Sequence, residues 1–485
     1  MKKGVYKFTV LALAFLLVLT GCGNKKDGGG SKGGDVVTLQ VYQIGDAPKN
    51  VQELTDKINS ISEKEIGVKV NFNYIGWGDY EQKMSVMVTA GDEFDVAFAN
   101  NYTVNAQKGA YADLTDLAKT HAKEFFDSVD PIYYDGNVVN GKLYGFPVNG
   151  NTFAQQMLSF NGEFIEKHNL DISKINTYAD AEAVLQVIKD NEPETVPFAI
   201  GKTFKANLGN FDYVLGDALP FAVNLDGDHK KIINPFETEQ GMTRLREMHS
   251  LYNKGLVPTD AATNDTSYDL NNNTWFMRQE TQGPADFGDN LLTQVAGKTI
   301  VSRPLNNALK STAQAQMANF IVAQNSKHKE ESVKWLNLLN TNAEMMNTLV
   351  YGLEGTSWEK IDEGHLKFLD GYKEGYHMAA WNTGNSAILL QPESITSEMI
   401  AKREVDTKNA VVSPIVGFNF VTDDVKTEIS NVKNVVDEYY AVLHTGTVNP
   451  DDVVPQFIEK LKAAGYEKIQ TEMQKQYDAF LAAKA

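Results

Sequence analysis

Residues Val36–Gln43 (VVTLQVYQ) crowd β-branched side chains into a short run, the composition of a buried strand. Val51, Leu54, Ile58 and Ile61 then recur at spacings of three and four, which predicts a helix with one apolar face over Val51–Ile61. Val68–Ile75 (VKVNFNYI) alternates apolar and polar positions and predicts a second strand. Tyr80–Val88 sets Met84, Met87 and Val88 on one helical face, Gly91 stops that helix, and Asp95–Ala99 (DVAFA) predicts a short buried strand. Strands alternating with helices imply a parallel sheet with right-handed crossovers. In such a sheet a ligand is expected beyond the carboxyl ends of the strands.

The alternation continues, less regularly. Leu114–Ala118 opens a helix, Lys142–Val148 is extended, and Ala179–Lys189 and Met242–Tyr252 are amphipathic helices. Asp226-Gly227, between Phe221–Leu225 and Lys230–Ile233, predicts a hairpin. Phe320–Ala323 reads as a strand, Glu330–Leu339 as a helix, and the tail from Val425 as mostly helical. No internal repeat is visible.

The first 35 residues follow a different logic. Lys2, Lys3 and Lys7 precede an apolar run from Phe8 to Leu19. A dozen or so apolar residues suit the core of a signal peptide and fall short of the about 20 that a membrane span needs. The run ends Leu19-Thr20-Gly21-Cys22, which resembles the bacterial lipobox. That resemblance implies cleavage before Cys22 and a diacylglyceryl thioether on its sulfur, so that residues 1–21 are a lipoprotein signal peptide and 22–35 a flexible, Gly-rich tether. Gly29–Gly33 (GGSKG) matches the nucleophile-elbow pattern formally but lacks the strand and helix that motif requires.

Composition narrows the classes of function. The 485 residues are 42% hydrophobic and 22% charged, an ordinary globular balance. A net charge of −18, or −21 once the three leader lysines are lost, argues against nucleic acid as a partner. One cysteine excludes an intrachain disulfide and any multi-cysteine metal site, and a lipidated Cys22 is neither nucleophile nor ligand. The eight histidines show no metal-binding spacing. Leu225–Asp228 and Asp265–Asn273 fall short of a full calcium loop, so neither a metal nor a cofactor is expected.

Several collinear segments resemble the extracellular solute-binding proteins of ABC importers, particularly the carbohydrate-type lipoproteins. They include Tyr74–Tyr80 (YIGWGDY), Ala90–Val96 (AGDEFDV), Gly109–Leu117 (GAYADLTDL), Asn140–Pro147 (NGKLYGFP) and Leu251–Gly255 (LYNKG). The strand, Asn-Ser-Lys turn and helix of Ile321–Leu339 follow in order. Tyr351–Gly355 (YGLEG), Gly417–Val421 (GFNFV) and the helical tail point to a subgroup with an added C-terminal domain. Asn149–Gln156 and Gln279–Asp286 depart from the subgroup's usual pattern, which leaves the ligand open. The resemblance implies an α/β, two-lobed periplasmic-binding-protein-like fold of type II, with a hinge of crossing strands and a helical C-terminal extension. The first lobe is expected from 36–147 plus about 299–340, the second from 148–298 plus about 341–410, and the helical addition from 411–485 on the second lobe. A carbohydrate, expected to be an oligosaccharide or glycan, captured between the lobes would be handed to permease subunits by a monomer anchored at Cys22 on the outer face of a bacterial, Gram-positive cell membrane.

Sugar recognition needs flat apolar faces and a fan of amides and carboxylates. Trp335 lies among Val333, Leu336 and Leu339 on one helix and is expected in the core. Trp77 lies between two glycines after a strand, and Trp275 and Trp381 lie in polar loop sequence; all three are candidates to stack on a sugar. Asp46, Asn101, Asn151, Asp212, Arg278, Glu354, Asn382 and Asn385 are the candidates to hold hydroxyls or an acidic substituent. The competing class is a lipid-anchored glycoside hydrolase, which needs two carboxylates across a sugar, Asp46 and Glu354 being the pair to test. A surface adhesin would show repeats or a wall anchor, and neither is visible.

Overall fold

The computed structural model describes residues 36–484. The leader, Cys22 and the tether lie outside the described residues.

The first lobe is built on a five-stranded sheet in the order Val68–Ile75, Val37–Ile44, Val96–Phe98, Asn319–Val322, Gly145–Pro147. The first three strands are parallel, with Val37 opposite Val68 and Ile44 opposite Ile75; Asn319–Val322 runs antiparallel to both its neighbours, so Gly145–Pro147 is again parallel to the first three. Leu39, Val41, Val68 and Val70 are buried in the sheet, and Leu54 and Ile58 close its face from the predicted helix. That helix runs over Val51–Ile66 and ends where Gly67 takes a left-handed conformation at φ 70°. The helix Tyr80–Ala90 ends in the same way at Gly91.

The second lobe has a four-stranded sheet in the order Ile300–Pro304, Gln155–Asn161, Trp275–Gln282, Val196–Phe198. Helices Glu182–Asn191 and Glu239–Asn253 pack Leu185, Ile188, Met248 and Leu251 against Leu158, Phe160 and Phe198.

Two boundaries differ from expectation. Ile300–Pro304, expected in the first lobe, pairs antiparallel with Gln155–Asn161 in the second. Its buried alternate residues, Ile300 and Ser302, match a strand covered on that lobe's sheet. Much of the segment expected in the second lobe after residue 341 stays instead on the first. Helix Ala343–Tyr351 follows Lys329–Thr341 after a turn capped by Asn342, and Met345, Leu349, Trp358, Leu366 and Leu389 all share the first lobe's core. The hairpin expected around Asp226-Gly227 shrinks to a single bridge, Ala222 to Ile233, because Ala222–Asn224 pairs instead with Phe211–Tyr213.

The chain passes between the lobes along three routes. Residues 148–154 lead out of the first sheet and 305–318 lead back, with a bridge between Ala154 and Leu309. The third route places Val411–Val412 parallel to Leu309–Lys310. Lys310 is buried there and pairs with Asp130 at 2.5 Å.

The C-terminal helices Lys426–His444, Pro450–Ala463 and Tyr466–Lys484 form one core with the segment from Leu208 to Phe236. Tyr466 stacks on Phe221 with ring centroids 4.4 Å apart, and its hydroxyl donates to the Pro220 carbonyl at 2.8 Å.

Candidate ligand-binding cleft

Three parallel strands end side by side on the first lobe, and the loops that leave them bring chemistry together. After Ile44 come Gly45 and Asp46; after Ile75 come Gly76, Trp77 and Gly78; after Phe98 come Asn100 and Asn101. Trp77 is 52% exposed and Trp381 is 42% exposed, yet the two rings stack at 5.6 Å with their planes 25° apart. Trp381 also meets the face of Phe98 edge-on at 6.0 Å, and Phe98 rests on Phe320 in the sheet. The result is a solvent-facing aromatic platform set on the lobe's core.

Gly45 supports this platform from below. Its φ of +110° is open to glycine, and a Cβ there would sit 3.0 Å from the Trp77 ring. Gly45→Ala is therefore expected to destabilise the protein by about 1–2 kcal/mol and to shift tryptophan emission to the red as Trp77 leaves Trp381. Unchanged emission and unchanged thermal stability would refute the packing of Gly45 beneath the ring.

Trp381 is held by its neighbours. Gln43 Nε2 donates to the Asn382 carbonyl at 2.7 Å, fastening the loop to the central strand. Asn385 accepts from Asn149 Nδ2 at 2.8 Å and from the Ala387 amide at 3.1 Å, and donates to the Asn340 carbonyl at 3.0 Å. Asn382 and Asn385 are buried on the first lobe, where they position Trp381. Gln43 carries no sequence signal of this role, since a polar residue in a strand reads as solvent-facing.

Asp46 is exposed beside the platform. Asn101 has a left-handed conformation at φ 45°, and its Nδ2 donates to Glu81 Oε1 at 2.8 Å. Glu81, one helical turn after Trp77, escapes sequence reading because it looks like any exposed helix residue. Asn151 lies on the outgoing crossing, where its Oδ1 accepts from the Ala285 amide at 3.2 Å and ties the first crossing to the second lobe. Beside it a cavity of about 730 Å³ opens between Asn149, Gly150 and Thr152, Pro284, Ala285 and Phe287, Ala380 and helix Ser397–Asn409. The Arg403 guanidinium stands 4.9 Å over the Phe287 ring in its wall, and burial lowers the Arg403 pKa.

Four expected residues are not brought to the platform. Trp275 is fully buried in the second lobe and donates from Nε1 to the Asp269 carbonyl at 3.0 Å, so its polar flanks cap a core residue. Arg278 lies 5.5 Å over that ring and its Nε donates to Glu280 at 2.6 Å, a self-contained ion pair. Asp212 is buried in the strand Phe211–Tyr213, and burial pushes its carboxyl up to about 6. Glu354 is exposed in the turn between Tyr351 and Trp358 on the first lobe, not the second.

Among the described residues, no group of three or more His, Cys, Asp or Glu converges as a metal site would require, and no helix is long and apolar enough to cross a membrane.

The family model for bacterial extracellular solute-binding proteins matches residues 43–346. The chain belongs to that family. A second model, a domain of unknown function (DUF3502), matches residues 414–482 of this solute-binding protein. It is 47% identical over 478 residues to a carbohydrate ABC transporter substrate-binding protein of Streptococcus pneumoniae serotype 4, covering 98% of this chain and 97% of the relative. It is similar in structure to the N-glycan transport solute-binding protein NgtS of Streptococcus pneumoniae, at 47% identity, over 92% of this chain and 100% of that one, with a TM-score of 0.89. Against NgtS in complex with Man1GlcNAc and with Man5GlcNAc the TM-scores are 0.77 and 0.74, over 100% and 99% of those chains. The solute-binding protein thus has the mixed α/β periplasmic-binding-protein fold with a helical C-terminal region. The family is not catalytic, which sets aside the glycoside hydrolase alternative.

Proposed function

We propose that this solute-binding protein captures an oligosaccharide of the N-glycan type between its lobes and delivers it to the permease of an ABC importer. The observation that carries the reading is the exposed Trp77–Trp381 stack at the carboxyl ends of the first lobe's strands. Exposed, paired indoles on a rigid support offer the flat face that the C–H surface of a pyranose requires. Asp46 and the Asn101–Glu81 pair would hold hydroxyls at the rim; Arg403 lines the cavity on the side nearest the crossings, with Asn151 tying that crossing to the second lobe.

Binding drives closure only if the ligand touches both lobes, because a hinge equilibrium moves by the difference in affinity between its two states. The TM-score falls from 0.89 to 0.77 and 0.74 when the relative carries a glycan, as an open arrangement of the lobes in this chain would produce. The sequence Leu19–Cys22 supports a lipid anchor that would keep the protein at the outer face of the membrane, as a monomer beside its permease.

Protein lacking residues 1–22, mixed with Man5GlcNAc, is expected to show a rise in Tm and a smaller radius of gyration by X-ray scattering. The glycan should be recovered intact by mass spectrometry. A silent titration with both Man1GlcNAc and Man5GlcNAc, or release of reducing ends, would overturn the proposal.

A further inference from the structure

A second cavity, of about 530 Å³, lies where the second lobe meets the C-terminal addition. One wall comes from the hinge-side ends of the second sheet. There Gln156 Nε2 donates to Thr281 Oγ1 at 2.8 Å, and Gln279 Nε2 donates to the Lys205 carbonyl at 2.9 Å. Ala154, Leu309 and Ser311 of the crossing segments add to its lining, so the cavity borders the hinge. The opposite wall is formed by Tyr440 and His444, from the last turns of helix Lys426–His444.

His444 is the anomaly of this wall. It is 4% exposed, and although the Ala206 backbone lies beside the ring, neither ring nitrogen makes a well-formed hydrogen bond. A buried polar group left unpaired is costly, and the cavity is the side from which a partner can reach the ring. Burial holds the ring neutral, with its pKa lowered to about 4, so one nitrogen donates and the other accepts. A sugar hydroxyl does both as well. The remaining lining suits an uncharged saccharide: Lys205 is neutralised by Asp217 at 2.6 Å, the Gln156 and Gln279 amides are held in a network with each other, Thr281, the Tyr178 hydroxyl and the Lys205 carbonyl, and the Phe236 ring, 5.6 Å from His444, adds an apolar surface.

We propose that the C-terminal addition completes a subsite for a neutral hexose or N-acetylhexosamine unit, with Tyr440 and His444 closing the cavity that Gln156, Gln279 and Thr281 open. This rests on the carbohydrate reading above. It gives the addition a part in recognition, beyond packing on the second lobe.

The test is calorimetric titration of Man5GlcNAc into wild type, His444→Leu and Tyr440→Phe, alongside the Tm of each free protein. His444→Leu removes a buried imidazole that makes no well-formed hydrogen bond, so its Tm is expected to match or exceed the wild-type value while its Kd rises at least about tenfold. Tyr440→Phe loses one hydroxyl and is expected to weaken binding by about threefold to tenfold with an unchanged Tm. Wild-type affinity in both variants overturns the subsite and leaves the carbohydrate reading standing. If His444→Leu fails to fold, Tyr440→Phe decides alone. Wild type that binds neither Man5GlcNAc nor Man1GlcNAc overturns the carbohydrate reading, and the subsite with it.

Discussion

Trp381→Ala is expected to weaken Man5GlcNAc binding by roughly 30- to 150-fold, the equivalent of about 2–3 kcal/mol. The figure combines the apolar area a pyranose face would cover on the indole with the added geometric preference of stacked rings. The free variant should stay folded, because Trp381 is 42% exposed and leaves only an edge contact with Phe98 and a stack with Trp77. Trp275→Ala provides the contrast. That ring is fully buried in the second lobe, so its loss should lower stability by about 3–5 kcal/mol. Calorimetry and thermal denaturation on the two variants separate the roles. An unchanged Kd in folded Trp381→Ala would remove the platform from the site.

A second large effect concerns two buried titratable groups on either side of the C-terminal core. Desolvation raises Asp212 from 3.8 to about 6, offset in part by Ser413 and the Tyr213 amide, with Tyr477 nearby. The folded chain then keeps a proton that the unfolded chain loses above pH 3.8, so this group's stabilising contribution declines as pH climbs from about 4 to about 6. Desolvation, helped by Lys205 and opposed by Asp217, lowers His444 from 6.5 to about 4. Here the unfolded chain takes up the proton first, so stability declines as pH falls from 6.5 towards 4. Each slope is worth on the order of 3 kcal/mol across its window, and between pH 4 and 6 they oppose each other. Asp212→Asn removes one of them. The stability of that variant relative to wild type is expected to rise steadily from pH 4 to pH 6 and then level off. Parallel pH profiles for the two proteins, by thermal or urea denaturation, would contradict this.

The sequence was most legible where local periodicity and tertiary role coincide. The strands Val37–Ile44 and Val68–Ile75 and the helix between them follow from their apolar spacing alone, as does the burial of Trp335. Trp77 was accessible to the same reasoning, since a Trp between two glycines after a parallel strand has few places to go but the strand's carboxyl end. Trp275 was misplaced because polar neighbours say only that a loop is near. Its indole turns inward, with its N–H satisfied by the Asp269 carbonyl. The lobe boundaries after residue 299 elude local periodicity for a related reason. Whether Ile300–Pro304 or Ala343–Tyr351 joins one sheet or the other is decided by partners more than a hundred positions away, and periodicity is silent about partners. Gln43 and Glu81 are ordinary in sequence and acquire their roles only from the residues that fold against them.

The bond from Gln43 to the Asn382 carbonyl joins positions 339 apart and fastens the opening strand to a loop made near the end of the chain. The first sheet likewise waits for Asn319–Val322 before its strand order is complete. Contacts of such long range make folding slow, because the closure entropy of the intervening chain is lost before the contacts return it. A first lobe that draws on residues as far apart as Gln43 and Asn382 can close only once nearly 400 residues have been made, so its folding must wait for most of the chain.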